Sequence, residues 1–232
     1  MTLTRWLLAL LSLLGAQAAL AAGPVQYRLD PVHTRVMFAV SHAGFSNAIG
    51  TVSGSTGTLL FDPDDWSSAK LEVSVPLDRI DLGDEKWNKA AMANRLLDVK
   101  DHPQATFVST RIEPIDAQRA SVYGTLRLHG VSKEVKLDVT LNALKRHPMP
   151  PFRRTAGFSA TTTLDRMDFG IDAWKAVIGD TVELRIEAEA VRDRGGAEEE
   201  PAIDAPPPED ATEPDEAQAP PVTPETEPVT TP

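Results

Sequence analysis

The chain contains no cysteine. That excludes disulfides, cysteine–zinc sites, a thiol nucleophile and a lipid anchor attached through a cysteine at a cleavage point. Concentrated positive charge is also missing. The formal net charge is −11 over 232 residues, but the acidic excess belongs to residues 193–232, which hold 12 acidic residues, one basic residue and 10 prolines. Residues 23–192 hold 22 acidic and 21 basic residues, so that region is close to neutral. Nucleic-acid binding needs a basic footprint, and none is present. Long hydrophobic runs are absent too. A membrane-spanning helix needs about 20 apolar residues, and the longest apolar stretch, Trp6–Leu14, is far shorter.

That short stretch has a different reading. Arg5 precedes it, and small residues follow, with Ala19 and Ala21 in a small-x-small arrangement. This is the pattern of a secretory signal peptide over residues 1–22, cleaved near Ala21 or Ala22, and it implies export. At the other end, residues 193–232 have too few large apolar side chains to offset the entropy of ordering, and they read as a disordered acidic, Pro-rich tail. Pro206–Pro208 and Pro220–Pro221 favour extended polyproline-like segments. Such a tail is either a spacer or interaction arm, or a solubilising extension.

Residues 23–192 alternate. Val36, Phe38 and Val40 are interleaved with Arg35, Met37, Ala39 and Ser41. The same period of two runs through Leu71–Leu77, Val122–Leu128, Val135–Leu141 and Val182–Ala190, and more weakly through Thr51–Phe61, Ala105–Ile112 and Thr155–Leu164. One apolar and one wet face per strand predicts about eight antiparallel strands in an all-β domain. Their apolar faces can be buried by closing into a barrel or by stacking as a sandwich. Turn signals fall at Asp62–Asp65, Gly130 and Pro148–Pro151. Asp84–Asn94 stands apart: helix formers with acidic residues at the start predict one inserted helix.

Catalytic motifs are missing. There is no Gly-x-Ser-x-Gly. Gly54 and Gly57 flank Ser55 and Thr56 but precede strand residues, whereas a phosphate cradle needs a helix N-terminus. His33 and His42, nine apart in what reads as one strand, fall on opposite faces, and His102, His129 and His147 have no metal-ligand spacing. The residues point to a binding protein rather than an enzyme. A hollow barrel and a packed one share the same alternation, and eight strands enclose a space that side chains fill or that holds one small ligand.

Several segments together resemble the YceI-like family. They are Tyr27–Val36, Ser41-His42-x-Gly44-Phe45, Phe61–Asp64, Asp98-Val99 leading to Pro103-x-x-x-Phe107-x-Ser109, and Leu128–Lys133. Ala156–Ala160, Arg166-x-Asp168-Phe169-Gly170 and Gly179-Asp180-x-Val182 complete the set, in the family's order, over about residues 26–192. The resemblance implies an eight-stranded antiparallel lipocalin-like barrel with an elongated apolar cavity. It also implies polyisoprenoid lipids, isoprenoid quinones or similar amphiphiles as ligands, no covalent cofactor and export to the periplasm. One segment departs from the pattern. Where many relatives carry Asp-x-His-Leu in the helical segment, this chain has Asn88, Lys89, Ala90 and Ala91, which places the identity of the bound head group in doubt.

The inward face then supplies the candidate apolar lining: Val36, Phe38, Val40, Leu71, Val73, Val75, Val122, Leu126, Leu128, Val135, Leu137, Phe158, Leu184 and Ile186, with Trp87 and Trp174 as closing rings. His33, His42, Arg79, Asn88, Arg166 and Asp168 are the head-group candidates, with Arg166 and Asp168 also able to pair with each other. The expected partner is a small amphipathic lipid, with transient membrane contact as its source or destination. Two other readings stay open: a periplasmic stress or interaction protein with a filled barrel and a partner-binding tail, and a histidine-dependent hydrolase or metal enzyme.

Overall fold

The structure is a computed structural model and describes residues 23–194. The expected signal peptide and the tail beyond Arg194 lie outside the described residues. The strands are β1 (Val25–Leu29), β2 (Arg35–His42), β3 (Ser46–Ser53), β4 (Thr56–Phe61), β5 (Lys70–Pro76) and β6 (Ile80–Asp81). After the helix α1 (Glu85–Met92) come β7 (Gln104–Pro114), β8 (Arg119–Leu128), β9 (Val131–Arg146), β10 (Arg154–Asp165) and β11 (Ile178–Arg192). Single turns of 3₁₀ helix lie at Trp66–Ser68, Leu77–Arg79 and Arg166–Phe169.

All eleven strands belong to one antiparallel sheet. Eight of them, in the order β1-β4-β5-β7-β8-β9-β10-β11, close on themselves because β11 returns to pair with β1. The ring has the expected number of strands but not the expected members: β2 is among the alternating runs and lies outside the ring, while the run Thr51–Phe61 takes in the end of β3 and all of β4. The first strand of the ring, β1, reads in the sequence as continuous with β2. The Asp30 carboxylate accepts from the N–H groups of Val32 at 2.8 Å and His33 at 3.2 Å, and this closes a turn between them. The two strands then share β11: β1 pairs with Tyr27↔Arg192 to Leu29↔Ala190, and β2 pairs with Ile178–Glu187. His33 sits in that turn, so the face-alternation argument for His33 and His42 does not hold. Similarly, Thr51–Phe61 is two strands, broken at Gly54, whose φ of +77° favours glycine. β3 pairs with β2 and, at Val52↔Ile80, with β6.

The barrel has two unlike ends. At one, Tyr27 and Phe61 are buried beside Ala120, Ala156 and Ala190, which have no exposed surface. The alanines leave room for rings, and Phe61, Trp66 and Phe158 meet edge-to-face at 5.1–6.4 Å. This packing closes that end. Asp193, first residue of the expected tail, is still tied to it: its N–H donates to Gln26 O and its carboxylate pairs with Arg28. At the other end lie α1 and the segment 170–177. The helix begins where the sequence predicts, with the Asp84 carboxylate capping the N–H groups of Lys86 and Trp87, and it buries none of its residues. It covers an opening rather than joining a core.

Candidate functional site

Between these ends the barrel is hollow. The cavity has a volume of about 770 Å³, within the usual range for small-molecule sites. It exists because the inward residues of neighbouring strands, such as Val36, Val73, Leu126 and Leu184, are only partly buried and do not meet across the axis. All sixteen residues expected on the apolar lining, including Trp87 and Trp174, stand on its wall. So do Leu59, Val52, Ile112, Val139 and Ala188. The floor is Phe61, Trp66 and Phe158, and the wall reaches the surface at Trp87 and Trp174, which are 45% and 56% exposed. The barrel is thus not filled by its own side chains.

The mouth is built from few elements. Trp87 of α1 lies against the His42 ring with centroids 5.3 Å apart. Opposite, Arg95 places its guanidinium 5.4 Å from the Trp174 ring centre, a cation–π pair. Trp174 adopts φ +60°, in the left-handed region. A bulky residue held there is strained, and the surroundings must impose the conformation. Arg166 supplies that constraint. Its buried guanidinium donates to the carbonyls of Gly179, Ile171, Ala173 and Ile178, which clamps the segment that presents Trp174 and Val177. Its acidic neighbour is Asp180, at 3.5 Å.

The polar candidates separate accordingly. His42 and Arg166 stand on the cavity wall, while His33, Arg79, Asn88 and Asp168 do not. His33 bonds to Asp30 through Nδ1 at 2.9 Å. Arg79 is exposed and packs over Gly54. Asn88 accepts from Leu82 N–H at 2.7 Å and donates to Asp81, pinning α1 to β6. Asp168 is 3.6 Å from Lys133. The Arg166–Asp168 pair is not formed, because both side chains are taken by other partners. Ala90 and Ala91, where many relatives would carry histidine and leucine, do line the cavity. Among the charged residues at the mouth, sequence reasoning missed Arg95. It follows the helix with no motif around it, and only the fold reveals that residues 93–97 return across the mouth. His102 and His129 touch ring to ring at 5.2 Å, but among the described residues no group of three His, Asp or Glu could hold a metal ion.

The architecture is that of a closed antiparallel barrel around an apolar cavity open at one end, and comparison with known proteins gives its family. Residues 27–190 match the YceI-like domain. A UPF0312 protein of Pectobacterium atrosepticum is 34% identical over 184 residues, covering 78% of this chain and 93% of that protein. A UPF0312 protein of Pseudomonas putida strain W619 is 34% identical over 185 residues, covering 79% and 93%. The chain belongs to the YceI-like family. Among solved structures, Burkholderia cenocepacia BcnA aligns with a TM-score of 0.62 at 24% identity, over 69% of this chain and 98% of that one. A polyisoprenoid binding domain from Saccharophagus degradans aligns with a TM-score of 0.55 at 15% identity, over 73% and 99%. These two likenesses concern the fold.

Proposed function

We propose that this protein is exported to the periplasm and there holds one long isoprenoid, a polyprenyl lipid or isoprenoid quinone, inside its barrel as a carrier. The observation that supports this reading is the cavity itself: a continuous hollow walled by aliphatic and aromatic side chains, floored at Phe61 and Trp66 and opening beside Trp87 and Trp174. Each isoprene unit brings five carbons. At about 0.8 kcal/mol per buried CH₂, a unit contributes roughly 3–4 kcal/mol before the cost of ordering a flexible chain and immobilising it. A few units suffice for micromolar binding, so the wall needs shape and apolarity rather than specific chemistry. The structural likeness to a polyisoprenoid binding domain agrees with this ligand class.

Organic extraction of the purified protein followed by mass spectrometry should recover a prenyl amphiphile, or the delipidated protein should take up an added prenyl quinone. Recovery of none and uptake of none would sink the reading. Phe38→Asp offers a sharper check. Phe38 lines the cavity, and an unpaired carboxylate there costs several kcal/mol to bury. The variant should lose uptake or unfold, as read by ligand titration beside circular dichroism. Export is checked by N-terminal sequencing of the periplasmic protein, which should begin at Ala22 or Gly23.

A further inference from the structure

The Ser41–Phe45 motif supplies His42 to the mouth but leaves its last residue without a task. Phe45 is 93% exposed and is not on the cavity wall. It stands at the tip of the β2–β3 hairpin. There Ala43 and Gly44 both have positive φ, +51° and +73°, and the Phe45 N–H closes the turn on His42 O at 3.1 Å. Two positive φ values in succession make a tight turn that follows the twist of the flanking strands. The ring is therefore held out into solvent on a short, hydrogen-bonded support.

Backbone bonds tie this tip to the rest of the mouth. The Ala43 N–H donates to Val177 O, and the N–H groups of Val177 and Ile178 both donate to Trp174 O at 2.8 Å. The His42 ring carries Trp87 of α1. Phe45, Val177, Trp174 and Trp87 thus form an exposed apolar rim at the open end, and the last three also line the cavity.

Exposed apolar groups gathered in one place mark contact with a partner or a membrane. Three features select a bilayer. Tryptophan favours the boundary between water and hydrocarbon, since its ring is apolar and its N–H polar. Separate rings on a projecting turn penetrate a fluid surface, whereas a stable protein contact needs a matched area of about 800 Å² on each side. An apolar ligand that leaves a bilayer through this rim also passes from hydrocarbon to cavity without crossing water. Charge plays a small part: Lys89 pairs with Glu85, Lys175 with Asp172, and Arg95 lies over Trp174. The closed end differs. Phe152 is exposed there, but it shares a surface hollow with Arg146, Arg154, Arg192 and Arg194.

We propose that the open end is a bilayer-docking rim, in which Phe45, Trp87, Trp174 and Val177 enter the interface of an uncharged lipid membrane and set the cavity mouth against its hydrocarbon. This rests on the reading of the cavity as a site for a long apolar chain. It assigns Phe45 to the membrane rather than to the ligand, and it orients the barrel with Phe152 and the closed end away from the bilayer.

The test floats the full chain with phosphatidylcholine vesicles, as wild type, F45E and F152E. Wild type should bind, F45E should bind at least about tenfold more weakly, and F152E should stay within about twofold of wild type. Brominated phosphatidylcholine should quench the tryptophan fluorescence of wild type. No flotation of wild type, no quenching, or equal losses in F45E and F152E would overturn the proposal, and the first of these would turn the rim toward a protein partner. Uptake of a prenyl quinone delivered from cyclodextrin keeps the two readings apart. F45E should take it up as wild type does, because Phe45 is not on the wall. Normal uptake without vesicle binding sinks the docking rim alone, whereas no uptake by wild type sinks the reading of the cavity beneath it.

Discussion

Arg166 shows how one buried side chain on the cavity wall can govern a site through the backbone it holds. Four carbonyls of the 171–179 segment converge on its guanidinium. Replacing it with methionine keeps much of the volume but leaves those acceptors unpaired, at about 1–3 kcal/mol for each that water does not reach. Arg166→Met should lose roughly 3–5 kcal/mol by urea denaturation. Below the transition it should also show faster proteolysis at 170–177, where Trp174 is held in its strained conformation. Asp30 is the other residue on which local geometry depends. Partial burial pushes its carboxyl up, but the bond to the His33 ring and those from the N–H groups of Val32 and His33 outweigh this and hold it below the usual carboxylate range. A depressed carboxylate contributes stability that is present above its unfolded value, about 3.9, and is lost as pH falls through the folded value. The stability gap between wild type and Asp30→Asn should therefore be present at pH 6 and close below about pH 4, as measured by denaturation across that range.

At the scale of the element, two glycines give opposite forecasts. A Cβ on Gly57 of β4 would lie 2.1 Å from the Glu72 carbonyl oxygen of β5. Backbone would have to move at a seam of the closed ring, so Gly57→Ala should cost about 1–3 kcal/mol. A Cβ on Gly50 of β3 would lie 2.3 Å from Phe38 Cζ, with Asp81 O at 3.0 Å on another side. Here the obstacle is a ring edge beside empty space. Gly50→Ala should swing Phe38 into the cavity with less than about 1 kcal/mol of destabilisation and weaken uptake of the longest ligands first, as read in a chain-length series. The strands themselves were legible in the sequence because one-sided burial writes a period of two. The break between β1 and β2 was not, because a turn made by one aspartate interrupts the alternation only briefly. Likewise the helix could be placed from its cap and composition, whereas the return of residues 93–97 across the mouth is a tertiary fact with no local signature. That is why Arg95 escaped notice while Trp87 did not.

For the whole molecule, charge and cavity belong to different parts of the chain. Inward positions could be read from alternation, but hollowness could not, since a packed barrel and an open one present the same pattern. Only the spacing of partly buried side chains around the ring distinguishes them. The net charge follows a separate logic. Residues 195–232 hold eleven acidic residues and no basic one, so they account for the entire formal charge of −11. Among the described residues, the cavity-lining side chains fall between Leu29 and Ala188. Proteins with no net charge at working pH associate more readily than those held apart by repulsion. Truncation after Arg194 should therefore leave the affinity for a prenyl quinone within about twofold of the full chain, since every lining residue named above is kept. The same truncation should lower solubility at neutral pH and low salt, and grafting an unrelated acidic segment should restore it. Loss of ligand on truncation would mean the tail takes part in binding. Unchanged solubility would mean its charge serves a partner rather than the barrel.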